Sequence, residues 1–162
     1  MTGAPYSLGV GAALATLMLA IAVSDWRRFR VPDKLTALAL ALRALDLIIT
    51  PQGSRVEALL DAGLRAASAA ALFYLFRLLY RRWRGREGMG LGDVKLAAVA
   101  GAWVDWRWLP YVVEAAALTG LALALAHARR KGAPPRGDLK LPFAVGFAPA
   151  IFLGWSLSQF GY

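Results

Sequence analysis

Between Leu8 and Val23 the chain carries a single polar side chain, Thr16, and comparable apolar blocks recur to its end. Apolar positions fill whole helical turns instead of one stripe, the pattern of helices surrounded on all sides by lipid or by other helices. A crossing needs about 17 to 25 residues, and six segments are candidates, near residues 6–24, 35–50, 57–80, 91–105, 108–127 and 142–160. The expected fold is therefore all-α, a polytopic membrane protein of about six transmembrane helices forming one membrane-embedded domain over residues 1–162. The fourth segment is shorter than the rest and is led by Gly90 and Gly92. It is expected to be short or broken at that point, packed where other helices shield its backbone from lipid.

Composition supports this class, with 59% hydrophobic residues and a mean hydropathy of +0.50. The absence of Cys excludes disulfides, thiolate metal sites and cysteine nucleophiles. No Lys or Arg occurs in the first 24 residues, whereas a secretory signal begins with a basic region, so the first apolar segment reads as a retained span. Arg27, Arg28, Arg30 and Lys34 follow it; Arg77, Arg81, Arg82, Arg84, Arg86 and Lys95 surround the gap between the third and fourth; Arg129, Arg130, Lys131, Arg136 and Lys140 follow the fifth. Fifteen of the 19 basic residues thus fall in alternate loops. By the positive-inside rule these loops are cytoplasmic and both termini lie outside. The net charge of +9 then reflects topology and anionic membrane lipids, with no call for nucleic acid.

Two acids stand out within this topology. Asp25 closes the first span in Ser24-Asp25-Trp26-Arg27-Arg28, and Asp93 opens the fourth in Gly90-Leu91-Gly92-Asp93-Val94-Lys95. Two crossings separate those spans, so both carboxyls arrive at the cytoplasmic face at one membrane level. Paired carboxyls do not both ionise cheaply; one keeps a proton and the pair titrates as a unit. Such a pair suits peptide hydrolysis without metal or organic cofactor: the ionised member takes a proton from an attacking water while the protonated member polarises the carbonyl. Gly90 and Gly92, lacking Cβ atoms, are expected to adopt backbone angles closed to other residues and to admit a substrate backbone beside Asp93. Lys95 is a candidate for orienting a substrate carbonyl, or a lysine reaching for the interface.

Three stretches resemble the type IV prepilin peptidases and archaeal preflagellin peptidases, which are GxGD-type intramembrane aspartyl proteases. Ala22-Val23-Ser24-Asp25 through Arg30-Val31-Pro32-Asp33 is similar to the family's first motif, and Glu87-Gly88-Met89-Gly90-Leu91-Gly92-Asp93-Val94-Lys95-Leu96 to its second. Leu141-Pro142-Phe143-Ala144-Val145-Gly146-Phe147-Ala148-Pro149-Ala150 resembles, more loosely, its C-terminal span start. The resemblance extends over the whole chain. It implies that Asp25 and Asp93 are catalytic, with Gly90, Gly92, Lys95, Pro32, Asp33 and Glu87 as substrate-binding or motif-supporting positions. It further implies that the substrates are prepilin-like proteins (type IV pilin, pseudopilin or archaellin-type), cut after a short basic leader at the cytoplasmic face of the inner membrane, with filament-assembly machinery as a further partner. Long bacterial members carry a cytoplasmic insertion with paired cysteines and also methylate the new N-terminus; this chain has no Cys. Its compact build resembles the short peptidases of tight-adherence pili or archaeal-type filaments.

The remaining charges have local readings. Asp33 follows Pro32, where an Asp readily caps a helix, and is the rival of Asp25 for the catalytic role. Glu87 either meets a basic leader or balances neighbouring arginines. Arg43 with Asp46, and Asp61 with Arg65, have the spacing of intrahelical ion pairs. Glu114 lacks such a partner and is expected to pair across helices or face a cavity. An alternative function, a small transporter or channel component using Asp25, Asp93 and Glu114 for protons or cations, calls for matching interrupted spans in the two halves. The first half contains no convincing echo of Gly90-Leu91-Gly92-Asp93.

Overall fold

The computed structural model describes residues 4–50, 54–85, 89–131 and 142–160. They form α1 (Ala4–Arg28), α2 (Asp33–Ile49), α3 (Arg55–Arg84), α4 (Leu91–Trp103), α5 (Leu109–Lys131) and α6 (Ala144–Phe160). Each expected apolar segment is a helix. Three of them, over Leu8–Arg28, Arg55–Arg84 and Leu109–Ala126, are long and apolar enough to cross a membrane by themselves. The chain is a polytopic membrane protein. The third segment continues past its expected end near residue 80 to Arg84, because Arg81, Arg82 and Arg84 are good helix formers and suit the carbonyl end of a helix. Gly85, in the left-handed region at φ 68°, stops it and donates its amide to the Arg81 carbonyl at 2.9 Å.

The short α4, 13 residues long, is the centre of the bundle. Leu96, Ala97, Val99, Ala100, Gly101, Ala102 and Trp103 are all buried. It packs chiefly against α3 and also against α2 and α6, while α6 is sandwiched by α1 and α5. The core joins Leu14, Met18 and Ile21 of α1 to Leu96, Val99 and Trp103 of α4 and to Phe147 and Ile151 of α6. Outward-facing leucines such as Leu19, Leu64, Leu118 and Leu153 are exposed on the bundle's rim, where lipid solvates them without cost.

Close approach of α3 and α4 requires a missing side chain. A Cβ on Gly101 would strike the carbonyl of Arg65 and come within 2.9 Å of Ala66 Cα. Small residues at such crossings let membrane helices pack backbone to backbone, where no hydrophobic gain distinguishes helix from lipid.

Candidate active site

Asp25 lies in the last turn of α1 and is only 6% exposed. Its Oδ2 accepts a hydrogen bond from the Ala144 amide at 2.8 Å, and the Val145 amide also donates to the carboxyl. These amides belong to the first turn of α6, whose N–H groups have no partner within their own helix and carry the positive end of its dipole. Asp25 therefore satisfies a helix terminus on another element. Beyond it the chain turns sharply: Phe29 adopts φ 50° and donates its amide to the Asp25 carbonyl at 2.8 Å, and Ser24 Oγ donates to the Arg30 carbonyl at 3.1 Å. Pro32 then serves as the residue preceding α2, its carbonyl receiving the Leu35 and Thr36 amides.

Asp93 is oriented in a related way by its own helix. Its Oδ2 accepts the Gly90 amide at 3.2 Å, and its amide returns a bond to the Gly90 carbonyl at 3.2 Å. A Cβ on Gly92 would fall 2.9 Å from Val31 Cβ, so the first turn of α4 rests directly on the α1–α2 connection. This seats Asp93 within electrostatic reach of Asp25. On each residue Oδ2 is engaged by an amide at a helix start.

The glycines reach this result by a different route from the expected one. Gly90 has the ordinary angles φ −73° and ψ 152°, and among the described glycines the positive φ belongs to Gly85. Space, not backbone freedom, fixes Gly92. Asp33 departs likewise from its expected capping role. It is the first residue of α2, makes no cap bond with its side chain, and pairs with Lys95 Nζ at 2.6 Å through Oδ1. Lys95 thus ties the first turn of α4 to the first turn of α2. Glu87 lies outside the described residues.

Two open grooves are lined by residues that neighbour the two acids in sequence or in helix contacts. One, of ≈ 300 Å³, is bounded by Ala22, Val23, Trp26, Arg27 and Val145; the other, of ≈ 280 Å³, by Asp33, Thr36, Ala37, Leu40, Lys95 and Ala98. No cluster of three His, Cys, Asp or Glu side chains suited to a metal ion occurs among the described residues.

At the opposite end of α4 the two spacing-predicted ion pairs are present, and both arginines do more than pair locally. Arg43 bonds Asp46 at 2.6 Å, donates Nε to the Ala102 carbonyl at 3.1 Å and lies 5.3 Å over the Trp103 ring. Arg65 bonds Asp61, reaches Asp105 at 3.3 Å and donates Nε to the Gly101 carbonyl at 3.2 Å. Sequence spacing reveals i,i+3 and i,i+4 partners but carries no signal for these cross-helix bonds. Glu114, in contrast, is exposed on α5, and among the described residues it has no partner across helices.

The family model described as type IV leader peptidase family matches residues 12–125. A prepilin leader peptidase/N-methyltransferase of Burkholderia pseudomallei is 38% identical over 158 residues, covering 89% of this chain and 48% of that protein. Proteins of the same description from Dichelobacter nodosus and Pseudomonas aeruginosa are 31% and 33% identical, covering 97% and 94% of this chain and 50% of each relative. The chain spans about half the length of the curated relatives it matches. No solved structure matches. A family match running from the middle of α1 nearly to the end of α5, across both acids, means that the chain belongs to the type IV leader peptidase family.

Proposed function

We propose that the chain is a membrane aspartyl endopeptidase that removes the short basic leader from prepilin-like precursors, with Asp25 and Asp93 as its catalytic pair. The observation that carries the reading is the convergence of these two carboxyls, each aimed by helix-terminal amides, in a chain of a leader peptidase family. The whole chain acts as one peptidase domain.

The chemistry follows from two carboxyls brought within electrostatic reach of each other. One carboxyl, ionised, removes a proton from a water whose oxygen attacks the scissile carbonyl carbon; the other, protonated, donates to the carbonyl oxygen as charge develops there. Collapse of the tetrahedral intermediate breaks the C–N bond, and the departing amine takes a proton from the carboxyl that received one from water. Because the pair shares its protons, acid and base are roles of the dyad and not fixed labels. Helix-terminal amides hold both carboxyls in place before substrate arrives, so little reorganisation is needed in the transition state.

The basic last turns of α1 and α3 favour a cytoplasmic location for this end of the bundle, in the inner membrane with both termini outside. Anionic lipids surround it, and filament-assembly machinery receives its product. Cleavage of a prepilin-like substrate in membranes tests the reading: the parent cuts, Asp25→Asn and Asp93→Asn do not, and Asp33→Asn does. A parent that cuts no leader, or an active Asp25→Asn or Asp93→Asn enzyme, sinks the assignment.

A further inference from the structure

A helix of 13 residues is about 20 Å long, whereas the hydrocarbon layer is about 30 Å thick. With its first turn level with the start of α2, through Lys95–Asp33 and Gly92–Val31, α4 must end well below the far surface. Its neighbours independently place that end inside the bundle, away from their own ends. Arg43, bonded to Ala102, lies about 9 Å short of the end of α2, and Arg65, bonded to Gly101, lies about 15 Å in from the start of α3.

A helix ending at that depth presents carbonyls with no intrahelical partner, and lipid has nothing to offer them. The Ala100 carbonyl receives the Val104 amide. The next two, Gly101 and Ala102, receive the guanidinium groups of Arg65 and Arg43. These cations also match the negative end of the α4 dipole. Their charge is balanced by Asp46 on one side and by Asp61 and Asp105 on the other. Two arginines from two different helices thus grip consecutive carbonyls of a third. Buried guanidinium groups serving only intrahelical pairs would have no reason to converge on one helix end.

We propose that Arg43 and Arg65 are positioning residues: by capping the sunken end of α4 they fix the height at which Asp93 faces Asp25. The inference rests on the reading of Asp93 as a catalytic carboxyl. Without the caps, α4 lowers the energy of its bare carbonyls by shifting toward the far surface, and this draws Asp93 below the level of Asp25. A displacement of about 1 Å is enough to cost about 100-fold in turnover.

The test uses the absence of Cys. Leu91, exposed at the start of α4, is replaced by Cys as a reporter, and its alkylation by a water-soluble maleimide is followed in membranes. With Arg43→Met and Arg65→Met together, alkylation slows several-fold and kcat falls about 100-fold while KM stays near the parent value. Arg43→Lys and Arg65→Lys, which keep a cationic donor, restore both. If the Met pair does not accumulate, the single Gln variants show the same effects in weaker form. Unchanged alkylation in inserted variants, or activity lost through KM alone, overturns the proposal. A parent that cleaves nothing defeats the catalytic reading instead, and the alkylation rates still decide whether the arginines hold α4 in place.

Discussion

Asp25 accepts the amide of Ala144 at 2.8 Å across 119 residues of sequence, joining the end of the first helix to the beginning of the last. One carboxyl therefore has two duties, capping α6 and, in the proposed mechanism, acting with Asp93. The duties separate on substitution. Asp25→Asn retains a carbonyl oxygen for the Ala144 amide and is expected to keep its stability while losing at least about 10²–10⁴-fold in cleavage rate. Asp25→Ala loses activity equally and in addition costs about 1–2 kcal/mol, because the α6 amides are left bare. Thermal unfolding in detergent beside a leader-cleavage assay distinguishes the two; equal melting of Asn and Ala forms would show that the cap contributes nothing.

The two glycines of the Gly90-Leu91-Gly92-Asp93 stretch should respond differently to a methyl group. On Gly90 an added Cβ meets its nearest atom, Asp93 Oδ2, at an ordinary 3.5 Å, so Gly90→Ala is expected to fold and cleave nearly as the parent does. Gly92→Ala places Cβ 2.9 Å from Val31 Cβ and is expected to cost about 1–3 kcal/mol with loss of activity. Val31→Gly in the same chain, which removes that Cβ, should recover much of both. Stability and cleavage of the four chains decide it.

Lys95 and Asp33 are close but open to solvent, with side chains 47% and 72% exposed. An exposed pair of this kind contributes about 0–1 kcal/mol. Asp33→Asn and Lys95→Gln are accordingly expected to lower stability only slightly, and added salt should reduce the difference between them and the parent. A large, salt-insensitive loss of stability in either variant would contradict this.

Phe29 holds a left-handed backbone, φ 50°, that costs a non-glycine residue roughly 1 kcal/mol. Phe29→Gly should therefore leave stability unchanged or slightly higher, while Phe29→Val, β-branched, should lower it. Unfolding midpoints of the two variants give the answer.

The sequence makes the helices themselves legible because each apolar block is long and bounded by charge or by Gly and Pro, and Pro32 marks a boundary that the structure uses. The approach of Asp25 to Asp93 is also readable, from topology alone, since charged loops set which helix ends share a face. The partners of these residues are not. Nothing local to Asp25 announces Ala144, and nothing in the first turn of α2 indicates that Asp33 bonds Lys95 instead of its own helix. Such contacts depend on helix order and rotation around α4, which a pattern of apolar blocks leaves free. Arg43 and Arg65 illustrate the limit: their spacing reveals Asp46 and Asp61, while the carbonyls they cap belong to another helix.

The carboxyl of Asp25 is tied across the fold to α6, whereas that of Asp93 is tied only to the first turn of its own helix. A rod gripped at its far end is a lever. From the Ala102 carbonyl held by Arg43, Asp93 stands about 14 Å along the α4 axis, so a tilt of about 5° about that end carries it about 1 Å sideways. The two jaws of the site are thus unequal. One carboxyl is anchored directly to a distant helix, while the other is placed only as firmly as α4 is held, by Val31 and Asp33 at its start and by the two arginines at the end remote from the chemistry.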